Sequence, residues 1–327
     1  MTPLNLARRT FATAALATLA AACAPAMAQG GWPAKPIRMI VPYSAGGGAD
    51  NAARVLAQRL SAALGAQVVV DNRPGASGII GAQAVAKAEA DGYTVLYDSS
   101  TFAVNPSLRK MPFDPAKDLA PVSLVVTVPN ILVVPAKSPS ADFKAFLERA
   151  RAQPDRVSFA SYGAGSPAHL AGELLNRAAR VSMLHVPYKG GAPALADVIG
   201  GQVDSYFANA GSGLGYVQSG QVKALAVTSR ERMALLPQVP TVAESGFPDF
   251  EVLEWNGVFV PAGTPKAIVD RLAAEIQAAV KDPDTRARLV KLGADPVGGT
   301  PAAFAAFLAT QTKRWAQLIQ ANKITAD

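Results

Sequence analysis

The chain has 327 residues, half of them hydrophobic and 17% charged, with 27 Gly, 25 Pro, one Cys and two His. That apolar share excludes a disordered chain, and so few Cys and His exclude a disulfide framework and most His/Cys metal sites. The formal net charge is +7, but the basic residues form no run of five or six, so nucleic-acid binding finds no footprint here.

In chain order, Arg8 and Arg9 come first, then an apolar stretch from Phe11 to Ala22 and Ala26-Met27-Ala28. A basic start, a short apolar core and an A-x-A exit read as a secretory signal over residues 1–28, cleaved after Ala28. The run is shorter than the ~20 residues a spanning helix needs. Arg8-Arg9-Thr10-Phe11 also fits a twin-arginine signal, so export by either route stays open. Lipoprotein anchoring at Cys23 is the weaker reading, because Leu19 sits one place too early for a good lipobox. Cleavage leaves a soluble, periplasmic chain without cysteine.

From Ile37 the pattern alternates. Ile37–Pro42 reads as a strand, a glycine loop follows, and Asp50–Leu64 carries apolar residues at helical spacing. Val68–Asp71, a helix over Gly78–Ala88 and Tyr93–Tyr97 continue the rhythm. Strand, loop and helix repeated this way predict parallel pairing with helices covering a sheet. Ser123–Val128 and Ile131–Val134 then read as two strands close together. The alternation restarts with Phe143–Ala152, Val157–Ala160, Ala168–Arg177, Met183–Val186, Pro193–Ile199, Ser205–Ala208 and Val222–Val227. After a Pro-rich stretch come a strand at Val258–Val260 and helices over Pro265–Lys281, Thr285–Leu292 and Pro301–Ala321. The pattern predicts two α/β lobes: residues 29–120 plus 228–327, and residues 121–227. Two crossings between them leave a cleft walled by strand-to-helix loops, where open α/β sheets bind ligands.

Two loops stand out. Tyr43-Ser44-Ala45-Gly46-Gly47-Gly48 joins the first strand to its helix, and successive glycines let a ligand approach the backbone. A helix N-terminus behind them favours an anion. No Lys follows, so this is not a nucleotide P-loop, and Asp50 reads as a helix cap or dipole partner. The second lobe offers Gly163-Ala164-Gly165-Ser166, with Ser166 as N-cap and Pro167 at the first helical position. Together the loops could clamp a carboxylate from both sides. His169 could donate to a ligand or make a structural bond. Ser100 and Thr101, after the third strand, could face the cleft or cap a helix. Tyr188 is a candidate wall beside a solvated Lys189, and Asn209 ends another strand. His185 reads as packed, and Trp255 as a packing residue or one lining a hinge.

No G-x-S-x-G, H-E-x-x-H or C-x-x-C is present, so no catalytic residue, metal or cofactor is assigned. Loops suited to holding something, with few groups suited to transforming it, favour binding. The alternative is an exported hydrolase or isomerase acting on a small organic acid through Ser166 or His169.

The residues also carry a resemblance. Ile40-Val41-Pro42-Tyr43, Ala45-Gly46-Gly47 with Asp50 and Arg54, Asn72-Arg73-Pro74-Gly75-Ala76 and Asp91-Gly92-Tyr93-Thr94 are similar to the Bug-type receptors of tripartite tricarboxylate transporters. The similarity continues through Gly165-Ser166, His169-Leu170-Ala171-Gly172-Glu173, Val186-Pro187-Tyr188-Lys189-Gly190 and Pro261-Ala262-Gly263-Thr264-Pro265, in order along the mature chain. It implies a two-lobed, flytrap-like periplasmic-binding fold of type II that closes around a small carboxylate held by Tyr43–Gly48 and Gly163–His169. It also implies a monomeric receptor delivering its ligand to membrane permease subunits. Two departures stand out: Ala90 where the family usually has Pro, and an acidic stretch at Glu251–Glu254, expected to lie clear of the anion loops.

Overall fold

The structure is a computed structural model and describes residues 31–188 and 190–325. The expected export signal, Cys23 and Lys189 lie outside the described residues, and everything below concerns the unit Lys35–Asp327. Its elements run β1 (Ile37–Val41), α1 (Gly48–Leu64), β2 (Val68–Asn72), α2 (Ile79–Ala86), β3 (Thr94–Ser99), α3 (Thr101–Leu108), α4 (Pro115–Asp118), β4 (Leu119–Pro135) and α5 (Phe143–Ala152). They continue with β5 (Ser158–Ser161), α6 (Pro167–Ala179), β6 (Leu184–Pro187), α7 (Gly191–Ile199), β7 (Ser205–Asn209), α8 (Ala210–Gln218) and β8 (Val222–Val227). The chain ends in β9 (Leu253–Pro261), α9 (Lys266–Lys281), α10 (Pro283–Lys291), β10 (Asp295–Pro296) and α11 (Pro301–Asn322).

The expected alternation is present. β1 lies between β2 and β3, all parallel, and its apolar residues are all buried while Arg38 alone is exposed, as a strand covered by helices requires. In the second sheet β5 lies between β6 and β7, again parallel. Helix starts follow their caps: Asp142, Ser166, Asn209, Asp282 and Thr300 each accept a backbone N–H from the first turn they open.

The two strands expected at 123–128 and 131–134 are one strand, β4. Pro129 reads as a breaker in sequence, yet it sits where the strand changes partners. Leu119 to Pro129 pair antiparallel with β9, and from Asn130 onward β4 pairs with β7 and β8. A proline that cannot donate to a ladder is tolerated at such an interruption. Pro121 likewise falls where the β4–β9 register shifts. The strand therefore belongs to both sheets. At the return crossing Thr228 clips them together: its Oγ1 accepts the Asn130 N–H at 2.8 Å and donates to the Val252 carbonyl at 2.5 Å.

Three helices escape the sequence pattern: α3, the four-residue α4 and α8. The first five residues of α3 are all buried, and Pro106 lies inside it, so no polar face marks it. α8 contains Gly211, Gly213 and Gly215, which read as a loop. A Cβ on Gly211 would lie 2.9 Å from the Leu292 carbonyl oxygen and one on Gly213 2.8 Å from the Ala208 Cβ, so close packing explains those two glycines. Trp255 is a core residue, edge-on to Phe304 and Phe307 with ring centroids 5.6 and 5.8 Å away.

Candidate functional site: two glycine loops and a buried acid between them

The first loop leaves the carboxyl end of β1. Ser44 to Gly47 are exposed, Gly46 has φ +82°, and Gly48 opens α1. Asp50 is buried and stitches the loop from inside. It accepts from the Gly46 N–H at 2.8 Å, Arg54 Nε at 3.0 Å and Asn72 Nδ2 at 2.9 Å. Burial pushes its carboxyl up, but these donors outweigh burial and leave it below its ordinary value. The Gly46 N–H is thus spent on Asp50, and the N–H groups a helix leaves unbonded belong to the turn that Gly48 begins.

Tyr43 braces the loop from behind. Its hydroxyl lies 2.5 Å from Asp98 Oδ1 and 2.6 Å from both Ser99 Oγ and Thr101 Oγ1. Tyr43 and Thr101 therefore bond each other, while Ser100 precedes α3 with its Oγ buried and without a partner. Burial raises the Asp98 carboxyl to about 7, so it exchanges a proton near neutrality.

The second loop leaves β5. Gly163 and Gly165 have φ +140° and +77°, conformations that favour glycine, with Ala164 half-buried between them. Ser166 Oγ accepts the His169 N–H, and the Gly165 N–H donates to His169 Nδ1 at 3.0 Å. His169 lies flat on His185, ring centroids 3.8 Å apart and planes 6° off parallel. Burial holds the two imidazoles down at about 3 and about 4 respectively, with His185 adding repulsion at His169. Neutral His169 is a positioning residue for this loop: Nδ1 is occupied, and Nε2 lies 3.8 Å from Glu173. Tyr188 flanks the loop, with its backbone oxygen 3.8 Å from a Cβ built on Gly163 and its hydroxyl donating to Asp197 at 2.6 Å.

The loops face each other across the two sheets. A Cβ on Gly48 would lie 3.2 Å from Asn209 Oδ1, and one on Gly165 only 2.2 Å from Leu108 Cδ1 at the end of α3. Asn209 Oδ1 accepts the Gly211 N–H, which turns its amide nitrogen toward Glu254 Oε2 at 3.0 Å. The Tyr162 hydroxyl donates to the same oxygen at 2.7 Å. The acidic stretch expected to lie clear of the anion loops thus reaches them. Glu254 touches Asn209 and the residue before Gly163 because β9 carries it across from Val128 at the sheet junction. Burial pushes its carboxyl above the ordinary value, partly offset by these two donors.

Glu254, Tyr162 and Asn130 carry no local motif; the acidic anomaly before Trp255 was the one visible signal. A depression of about 780 Å³ on the outer side of β8, lined by residues such as Phe143, Leu147 and Phe247, is remote from both loops. Among the described residues no group of three or more His, Cys, Asp or Glu could hold a metal ion, and no helix is long and apolar enough to cross a membrane.

Two α/β lobes joined at a shared strand, with glycine loops meeting between them, define a solute-binding protein of the periplasmic type, and solved structures agree. BugD, a periplasmic binding protein, is 39% identical with a TM-score of 0.82 over 90% of this chain and 99% of its own. Rpa4515 of R. palustris, solved with adipate, is 34% identical with a TM-score of 0.85 over 90% and 99%. The model of the tripartite tricarboxylate transporter family receptors matches residues 52–324, and the chain belongs to that family. Among its relatives BugT of Bordetella pertussis is 40% identical over 292 residues, 88% of this chain and 90% of its own.

Proposed function

We propose that this protein is a periplasmic receptor that captures a small carboxylate between its lobes and releases it chemically unchanged to the permease subunits of a tripartite transporter. The opposition of the two glycine loops, one from each sheet, carries this reading. The Gly48 turn of α1 offers unbonded N–H groups and a positive helix end, while in the Ser166 turn of α6 Pro167 has no N–H and those of His169 and Leu170 are held by Ser166, so that turn offers its dipole and the Ala168 N–H. The adipate bound to Rpa4515 supports a carboxylate as the ligand class. The ligand-binding set is Tyr43 to Gly48, Ser100, Thr101, Gly163 to Ser166, His169, Tyr188 and Asn209, with Tyr43, Thr101 and His169 acting through the loops they brace.

Closure is lobe motion driven by preference of the ligand for the closed state. The lobes are 29–120 plus 228–327 and 121–227, and the change of sheet within β4 supports a crossing in that strand. Residues 1–28 act as the export signal, cleaved after Ala28, and the mature receptor works as a monomer. Against turnover by Ser166 stands its bonding: its Oγ accepts the His169 backbone N–H, as a helix cap does.

A thermal-shift screen of the purified protein against mono-, di- and tricarboxylates tests the reading. A ligand at 100 times its Kd adds about 2.7 kcal/mol of stability. A shift from one acid class, with that acid recovered intact, supports a receptor. Conversion of the acid, or no shift from any acid by a protein purified free of bound ligand, overturns it.

A further inference from the structure

Glu254 poses a problem for a carboxylate receptor, because a buried acid beside the anion loops repels the ligand those loops attract. Its surroundings supply no counter-charge: among the described residues neither Lys, Arg nor His pairs with it, its hydrogen-bond partners are the Tyr162 hydroxyl and the Asn209 amide, and the buried Tyr97 and Tyr206 hydroxyls lie within reach of its charge without bonding it. Buried carboxylates are ordinarily paired, since an unpaired one is costly to desolvate. Both known donors fall on Oε2, and Oε1 makes no hydrogen bond among the described residues.

Strand register adds a second observation. Glu254 lies opposite Val128 on β4, and Asn130, two residues on, lies opposite Asn209. Alternation puts Glu254, Asn130 and Asn209 on one face, with Glu254 and Asn130 diagonal neighbours. Asn130 is fully buried, and neither its amide oxygen nor its amide nitrogen has a partner. Two acceptors, Glu254 Oε1 and Asn130 Oδ1, thus share a face beside Asn209, which itself abuts Gly48. An acceptor pair made of a fully buried amide and a nearly buried carboxylate is the complement of an ammonium, which brings three N–H donors and a positive charge.

Resting on the receptor reading above, we infer that Glu254 sets specificity by receiving an ammonium group on the ligand, with Asn130 as second acceptor, so that the ligand is an amine-bearing carboxylate. The glycine loops hold the carboxylate, and Glu254 rejects the amine-free analogue, whose binding leaves the acid buried and unmatched.

Titration calorimetry at pH 7 on the purified protein tests this with matched acids: aspartate against succinate, glutamate against glutarate, 4-aminobutyrate against butyrate, phenylalanine against 3-phenylpropionate. At least one amine-bearing acid binds tenfold or more tighter than its partner, and Glu254→Gln, which keeps shape and a hydrogen-bonding group, loses that margin. Amine-free acids binding as tightly as their partners overturn the inference and leave the receptor reading intact. So does a margin that survives in Glu254→Gln. The wild-type comparison stands even if the variant does not fold. Binding of no acid in the panel overturns the inference, and the broader thermal-shift screen then decides the receptor reading.

Discussion

Gly165→Ala separates what the second loop does for folding from what it does for closure. The residue has φ +77°, and alanine in that left-handed region costs about 1 kcal/mol whether the lobes are open or closed. That cost appears as a Tm drop of about 1–2 °C for a chain of this size. The new Cβ also falls 2.2 Å from Leu108 Cδ1, an overlap across the proposed lobes that parting them would relieve. Leu108 ends a flexible side chain and gives way at a cost of about 1–2 kcal/mol. Since tenfold in affinity is 1.4 kcal/mol, ligand binding weakens roughly fivefold to thirtyfold. Calorimetric titration with the acid found in the thermal screen reads the second effect, and thermal unfolding without ligand reads the first. In a Leu108→Ala background the substitution leaves affinity unchanged while the Tm drop persists. An unchanged Kd in Gly165→Ala alone, or an affinity loss as large in the Leu108→Ala background, refutes the assignment of this contact to the closed state.

The stacked histidines make a pH prediction. Folded His169 and His185 resist protonation down to about 3 and 4 while the unfolded chain takes up protons below about 6.5. Their contribution to stability is therefore lost as pH falls from about 6.5 toward 4, and NMR detects no imidazole titration above pH 5; a midpoint near 6.5 refutes the stacked arrangement. Asp98 acts in the opposite direction. Its carboxyl is raised to about 7, so its contribution is lost as pH rises from about 4 to 7. Denaturant unfolding across that range finds Asp98→Asn gaining on the wild type, and a constant difference contradicts a protonated Asp98. Thr228→Val leaves the Asn130 N–H and Val252 carbonyl unpaired at the sheet junction and costs about 2–4 kcal/mol, read as a lower urea midpoint at constant slope; a change under 0.5 kcal/mol dismisses the clip.

The glycine loops were legible in sequence because their signal is local: three glycines after an apolar run and before a helical pattern, and Ser166-Pro167 at a helix start. The parallel units were legible for the same reason, through hydrophobic period. β4 was misread because Pro129 carries its ordinary meaning only if one ladder runs the strand's length, and here two do. α3 was missed because burial on every side of Thr101–Asn105 erases the amphipathic stripe. Tyr43 and His169 were read as ligand-binding candidates, and only the structure gives them their partners, Asp98 and Gly165, and these face inward. Glu254 was visible as an oddity; its meaning depends on Asn209, 45 residues away in the chain, and on a strand register that no sequence spacing encodes.

The sharing of β4 has a consequence for how such a molecule can be rebuilt. Neither sheet is a self-contained set of hydrogen bonds, because cutting the chain between Pro129 and Asn130 would strip β9 of its partner on one side or β7 and β8 of theirs on the other. Lobes exchanged between relatives must therefore carry β4 whole, and a chimera joined inside it inherits a mismatched seam. The same continuity makes the connection a torsion bar rather than a pin: opening has to be stored as twist along a paired strand clamped by Thr228. On the receptor reading, the twist that this strand admits bears, as the loops do, on how far the lobes part.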